Sequence, residues 1–444
     1  MTNIVSRRND KTEYSPLPTP SVPDPAQRTR RGNVKLMLVH AFSFGICDSI
    51  CRDGGIFDTF LYEISGNSNQ IVGSAETLCG VSELAASIFA GVLADRYHNV
   101  RARLLKRYSV MGAVLAVLFC VAVNMRSLDM IRVALALYGA WVAFKDCTAY
   151  ALIADSAPET DQGGVMAKVE TVQQFAAGIG PLVTIAVMTR HSGKDEWQLP
   201  ALQPILTIGA FGLLFPAASL WFWEDVPHRT QGKDKAGSRI VPSGRLVPAL
   251  LCLIDLLTQL GMGMTVKFIP LYFKDHYGLH PTSIAFIYVA YAFGVALATN
   301  MCRILSSKIG RVRACIACSI ASAVSLVIFA YAEHLPTFVI FFLLKGSLCN
   351  AVVPLDRSLV LDAVPAQERG RWAALESLGS ASWSGSAFLG GMLADSRGGD
   401  HRFAFKITAA IYAIALLLRV PLLRLVHEGP ADKRVQSEEP SAEV

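Results

Sequence analysis

The sequence predicts an all-α integral membrane protein, with twelve transmembrane helices in two pseudo-symmetric six-helix bundles. Three observations lead there. The 444 residues are 52% hydrophobic and only 17% charged, where a soluble domain usually carries about 25%, and the mean hydropathy is +0.40. Apolar runs long enough to cross roughly 30 Å of hydrocarbon recur along the chain. The second half also repeats landmarks of the first at one fixed offset. Alternating segments of about ten residues, the mark of an outer-membrane barrel, are absent.

The elements follow in order. Residues 1–33 place Arg7, Arg8, Arg28, Arg30 and Arg31 among Pro, Ser and Thr, with Asp10, Glu13 and Asp24 interspersed. Those acids argue against a transit peptide, so a disordered cytosolic tail is expected. Six spans are expected near 34–58, 70–94, 105–125, 128–154, 166–189 and 201–223. A polar stretch, 224–245, carries Lys233, Lys235 and Arg239 and reads as a cytosolic link between bundles. Six more spans are expected near 246–272, 281–305, 312–332, 335–361, 371–394 and 405–426, then a charged cytosolic tail over 427–444.

Orientation comes from the loops, because Lys and Arg concentrate on the cytosolic side. One side holds the N-terminal arginines, Arg96, Arg101, Arg103, Lys106, Arg107, the link, Lys308, Arg311, Arg313, Arg369 and Arg371. The other holds few cations, among them Arg52, Arg126, Arg190, Lys274 and Arg402. Both termini are therefore expected in the cytosol, which an even number of spans allows. Nothing distinguishes the plasma membrane from an internal one.

The repeat is explicit. Leu152-Ile-Ala-Asp155-Ser-Ala-Pro158 with Gly163 matches Leu359-Val-Leu-Asp362-Ala-Val-Pro365 with Gly370, an offset of 207 (155 to 362). At that offset Gly139 matches Gly346 and Asp48 matches Asp255. A unit this long is no solenoid repeat; it implies two related six-helix bundles, the parallel-repeat plan of facilitator-type transporters.

Between the second and third spans lies Gly91-Val-Leu-Ala-Asp95-Arg96-Tyr-His98-Asn99-Val-Arg101-Ala-Arg103. Two echoes follow, Lys308-Ile-Gly310-Arg311-Val-Arg313 and Gly391-Met-Leu-Ala-Asp395. The stretch resembles the loop between the second and third helices of major facilitator superfamily transporters, with His98 where that family usually has glycine. Together with the span count and the duplicated Asp-x-x-Pro ends, the resemblance covers about residues 34–428. It identifies no subfamily. It implies a cytosolic gate built from Gly91, Asp95, Arg96, Arg101, Arg103, Asp155, Asp362 and Arg369. In that gate Asp95 accepts from exposed amides at the start of helix eleven, and Arg101 or Arg103 pairs with Asp155. The resemblance implies that the gate latches the outward-open state.

Charge at membrane depth is costly and usually functional. It falls here on His40 and Asp48 of helix one, Glu83 of helix two, Lys145 and Asp146 of helix four, Asp255 of helix seven, Lys345 of helix ten and Glu376 of helix eleven. Every third helix lacks it near mid-depth. Asp48 and Asp255 occupy matching places and are expected to face each other, binding a proton or substrate, or merely accepting hydrogen bonds from a neighbouring helix. Lys145 and Asp146 are adjacent, so about 100° apart on a helix and poorly placed to pair. Lys145 and Lys345 could hold an anionic substrate, or Lys145 could pair internally with Glu83 or Asp48. Asp48, Asp255, Lys145, Asp146, Lys345, Glu83 and Glu376 are thus the candidate substrate or proton site.

Other chemistries lack their signatures. There is no HExxH, no GxSxG and no paired-histidine metal spacing, so no enzyme, cofactor or metal is expected. The ten cysteines are scattered through apolar segments as packing residues, and Cys315 and Cys318 form a lone CxxC. A formal net charge of +6 does not indicate nucleic acid here, since the distribution of Lys and Arg matters more than their sum. The expected partners are a small solute, protons and the bilayer, and the expected state is a monomer. The function indicated is secondary active transport by alternating access, coupled to protons. A uniporter of the same fold is the alternative, and a receptor or scaffold has no use for midplane carboxylates.

Overall fold

A computed structural model of the chain describes residues 25–53, 55–157, 162–191, 196–227, 246–364 and 369–426. Ten of the described helical stretches are long and apolar enough to cross a membrane. Two further helices, of 29 and 28 residues, complete the expected twelve. In chain order α1 is Pro25–Asp48, a π turn Ser49–Asp53 and then Ile56–Ile64; α2 is Asn69–Arg96, α3 Arg101–Asn124 and α4 Leu128–Ser156. Next, α5 runs Gln162–Ala177 and Ile179–His191, and α6 runs Leu199–Gly212 and Leu214–Ser219. In the second half α7 is Leu246–Val266 then Ile269–Tyr277, α8 Pro281–Ile309, α9 Arg311–Tyr331, α10 Leu335–Ala363, α11 Arg369–Ser396, and α12 Arg402–Arg419 with Leu422–Leu425.

Two expectations need correction. Residues 25–33 are the helical start of α1, not tail, and Asn33 is buried against Ser156 and Glu224. Arg52 does not lie in a loop. It sits in the π turn of α1, 9% exposed. The rest of both tails, and 228–245 of the link, lie outside the described residues.

Local sequence explains the termini. Ser68 and Ser127 accept from backbone amides at the starts of α2 and α4, each from the residue three positions on, satisfying donors that a helix start leaves orphaned. Gly310, at φ 91, turns the chain between α8 and α9. At His98 the chain instead makes a 3-10 turn, His98–Val100, without positive φ. That loop has no steric need for the family's glycine.

Each half has its own apolar core. Phe57, Phe60, Phe119, Trp141 and Leu152 anchor the first. Tyr272, Phe273, Phe329, Phe338 and Phe405 anchor the second. Trp141 donates its indole N–H to the Tyr108 carbonyl at 2.8 Å, so the buried ring keeps its polar edge satisfied. The helices without mid-depth charge turn apolar residues outward: Val110, Val114 and Val117 on α3, Phe211 and Phe215 on α6, Ile320 and Val324 on α9, and Leu417 on α12. Such surface suits lipid rather than water.

The halves meet closely at one face, termed outer, opposite the face carrying Arg101. Phe268 and Leu271 of α7 enter the core of the first half. Lys274 pairs with Glu63, and the Trp197 indole donates to the Leu279 carbonyl. Small residues bring α2 against α11: a Cβ on Gly73 would strike the Ala387 backbone, and one on Gly80 would strike Ser384. Toward the inner face the described residues of α2 show no such contact. A Cβ on Gly91 would meet nothing, and Ile88, Phe89 and Val92 are more than 60% exposed. Among the described residues, the molecule is closed at the outer face, and the α2 side chains near the inner one are exposed.

Candidate functional site

Asp48 ends the first segment of α1, where the α-helix widens into the π turn. Such single-turn π insertions re-aim side chains and are frequent at functional sites. Glycines make room for this one: a Cβ on Gly180 of α5 would strike Ser49, and one on Gly209 of α6 would press on Ile50 and Cys51. The hydroxyl of Tyr138 in α4 donates to Asp48 Oδ1. The Arg52 guanidinium lies 5.1 Å from the Tyr138 ring centroid, a cation–π contact. Its Nη2 donates to Glu76 Oε1 of α2 at 2.5 Å. The other Glu76 oxygen, Oε2, is 3.6 Å from Lys267 Nζ, at the break in α7. Lys267 Nζ also donates to the Arg52 carbonyl at 3.1 Å and lies 5.1 Å from the Trp383 ring of α11.

Glu76 and Lys267 are 3% and 2% exposed. Ions this deep persist only when paired and hydrogen-bonded, and here two carboxylates face two cations. The network joins α1, α2 and α4 of one bundle to α7 and α11 of the other.

Asp255 has different surroundings. Gln259, one turn on, donates to it at 3.5 Å, and a Cβ on Gly379 of α11 would strike its Oδ2. Asp255 borders a cavity of about 100 Å³ within the second bundle, with Gln259, Cys349, Asn350, Tyr412 and Arg419. Arg419 binds Asp356 through both oxygens, at 2.8 and 2.5 Å. Lys345 is 3% exposed, its ammonium 5.3 Å from the Tyr412 ring. Asp48 and Asp255, expected to face each other, thus have different partners among the described residues. The repeat keeps the carboxylates and changes their company: offset by 207, Arg52 corresponds to Gln259 and Tyr138 to Lys345.

Lys145 and Asp146 do pair, against the sequence expectation, at 2.7 Å. The lysine's four-carbon stem bridges the angular gap that helix geometry sets. Burial at 1% exposure leaves Lys145 little other choice. It also caps the Phe44 ring at 3.8 Å, so it is committed within its own bundle. Glu83 lies in the electrostatic reach of Arg52, Asp146, Glu76 and Lys145. The side chain of Glu376 lies outside the described residues. His40 stacks on Phe44 and holds Pro216 and Ser219 through Nδ1, a structural role.

At the inner face the structure chooses Arg101 over Arg103. Arg101 donates to Asp155 at 2.5 Å and to the Ala94 and Ala151 carbonyls, 4% exposed. Arg96 and Arg103 are exposed. Asp225 accepts from the Ala102 amide at the start of α3. In the second half Arg311 donates to Ser358 across the corresponding helix pair. The side chains of Asp95, Asp362 and Arg369 lie outside the described residues.

At the outer face sequence reasoning missed a second carboxylate, Asp395, although it noted the Gly391–Asp395 echo. Asp395 ends α11 and accepts from the backbone amides of Asn69 and Gln70, at 3.2 and 2.8 Å, and from Asn69 Nδ2 at 2.9 Å. A carboxylate thus sits on the positive start of α2. His401 Nε2 lies 2.9 Å from Asn69 Oδ1. Because the Asn69 amide nitrogen already faces Asp395, the imidazole is the donor. Burial pushes the His401 pKa down from 6.5 to about 4, with Asp400 and Asp395 partly opposing. Glu76 and Lys267 were missed as well, although both fall inside expected spans, 70–94 and 246–272; a charge count that included each span's outer turns would have found them.

The Major Facilitator Superfamily sequence profile matches residues 41–254 and 251–443. No curated protein sequence matches. Among solved structures, the inward-open xylose transporter XylE from E. coli superposes with a TM-score of 0.68 at 13% identity, covering 92% of this chain and 100% of that one. A D-xylose–proton symporter gives 0.68 at 15% identity, covering 89% and 97%. The nucleoside transporter NupG gives 0.62 at 11%, covering 88% and 99%. Likeness at such identity speaks for the fold alone. With the profile spanning both halves, the chain belongs to the Major Facilitator Superfamily.

Proposed function

We propose that this protein is a proton-coupled secondary transporter of a small solute, working by rocking of bundle 34–223 against bundle 246–426. The face carrying Arg101 is cytosolic in this reading, as are both termini. The observation that carries it is Asp48: a carboxylate at mid-depth, bonded to Tyr138, beside a π turn, and linked through Arg52 and Glu76 to the opposite bundle. A carboxylate desolvated there is suited to binding and releasing a proton. Closure at the outer face, with Ile88, Phe89 and Val92 of α2 exposed near the inner one, corresponds to the inward-facing half of an alternating-access cycle. The solute site lies between the two polar centres, with Asp48, Glu83 and Asp146 on one side and Asp255 and Lys345 on the other. Proton symport by a protein of the same fold is consistent with this reading.

Screening solutes by thermal shift on purified protein identifies a ligand, because a compound that binds only the folded state raises Tm. In proteoliposomes a proton gradient then drives accumulation of that compound. The Asp48→Asn variant loses accumulation and keeps exchange. Unchanged pH-dependent uptake by that variant overturns the proton role.

A further inference from the structure

We propose that the solute is a small organic anion with one carboxylate, and that Lys345 binds it in the cavity of the second bundle. The proposal rests on the reading of the protein as a solute transporter and names the class of solute. Among the described residues, six Lys and Arg side chains are buried: Arg52, Arg101, Lys145, Lys267, Lys345 and Arg419. Five of them have a carboxylate. Glu76 serves Arg52 and Lys267, Asp155 serves Arg101, Asp146 serves Lys145, and Asp356 serves Arg419. Lys345 is the sixth. Among the described residues its ammonium meets no carboxylate and no hydrogen-bond acceptor, and it faces the Tyr412 ring at 5.3 Å. A ring face attracts a cation but leaves its charge unneutralised and its three N–H donors unused. An ammonium kept from water without a partner is costly, so a partner from outside the chain is expected.

The surroundings suit such a partner. The Lys345 carbonyl accepts from the Ser322 hydroxyl at 3.0 Å, which holds α10 to α9 at this level. Ser322 and Tyr412 line the cavity of about 100 Å³, as does Cys349, which lies in the electrostatic reach of the ammonium. Other polar groups there are already engaged. Arg419 grips Asp356. Asn350 donates to the Tyr291 hydroxyl and to the Gly346 carbonyl, both at 2.9 Å. Lys145 does not join Lys345, because it is spent on Asp146 and the Phe44 ring.

Size and sign narrow the class. Pockets for drug-sized ligands hold about 300–1,000 Å³, so this cavity has room for a carboxylate on a short stem. Asp255 borders the same cavity and repels a second negative charge. Dianions are thereby disfavoured.

The test is thermal shift on the purified full-length protein. The probes are propionate, lactate and benzoate, their amides as uncharged matches, succinate as a dianion, and chloride. The monocarboxylates are expected to raise Tm, and the amides, succinate and chloride to leave it unchanged. Lys345→Met is expected to weaken monocarboxylate binding by roughly thirtyfold or more. Because it removes a buried charge that has no carboxylate, it should not lower Tm when no acid is present. A Lys345→Met chain that fails to fold, or melts well below the wild type, makes Lys345 a structural cation and overturns the proposal. On the wild type alone, amides as effective as their acids overturn it, as does a shift from chloride or succinate without one from the monocarboxylates. Equal stabilisation of Lys345→Met and wild type by the acids does so too. Uptake into proteoliposomes, measured against protein-free liposomes, separates this proposal from proton coupling. Lys345-dependent uptake of an acid that ignores a proton gradient keeps the carboxylate and removes the coupling. Proton-driven accumulation of an uncharged compound, with no acid bound, keeps the coupling and overturns the carboxylate.

Discussion

At the scale of single residues, the sequence points to where charge is buried but not to what it touches. Asp48 stands out because an acid in an apolar run is expensive. Arg52 is read as a loop cation, since no pattern announces that α1 continues through a π turn. Lys145 and Asp146 look mispaired on a helical wheel, which ignores the reach of a lysine stem. Arg101 and Asp155 are the opposite case: the loop motif suggests the pair, and the structure buries it at 2.5 Å. Breaking a buried pair by removing one partner costs about 3–5 kcal/mol, because the other is left charged and dry. Asp155→Ala should therefore lower the Tm of the detergent-solubilised protein markedly, and Arg101→Leu combined with Asp155→Leu should recover much of the loss. A loss below about 1 kcal/mol in the single variant would mean that water already reaches Arg101.

At the scale of elements, the internal repeat supplies the more polar α4 and α11, and hydropathy legibly places the other ten of the twelve spans, because a helix in lipid must satisfy its own backbone bonds and run the full thickness. What it does not reveal is discontinuity. The π turn of α1 and the break in α7 at Lys267 leave mean hydropathy unchanged, yet they aim Arg52 and Lys267 at Glu76. The repeated Gly-x-x-x-Asp motif is also visible in sequence, without its partner. On α11 the structure supplies it: Asp395 holds the Asn69 and Gln70 amides at the start of α2. The resemblance assigns Asp95 of α2 a mirrored task at the start of α11. Asp395→Asn removes a charge from a helix start, worth about 0.3–1 kcal/mol at an exposed position. Amide exchange at Asn69–Val72 should rise by roughly twofold to fivefold as the outer contact loosens. Unchanged protection at those amides would show that the apolar α2–α11 packing alone keeps the face shut.

At the scale of the whole molecule, one imidazole senses whether the halves are joined. His401 follows α11 in the second bundle, donates to Asn69 of the first and packs against Phe268 and Tyr272. It is neutral in the closed molecule, because burial holds its pKa near 4 against 6.5 in water. Between those values the unfolded chain takes up a proton that the closed one refuses, so stability falls with falling pH across that window and is flat above it. The difference amounts to about 3 kcal/mol at most. His401→Gln keeps a donor for Asn69 and removes the titration. Plotted against pH, Tm of the wild type should therefore drop more steeply than that of His401→Gln between about pH 6.5 and 4, and the two curves should run parallel above pH 7. Parallel curves throughout would mean that His401 titrates alike in the folded and unfolded chain. The outer seal would then take no part in acid sensitivity, leaving it to the intramembrane carboxylates.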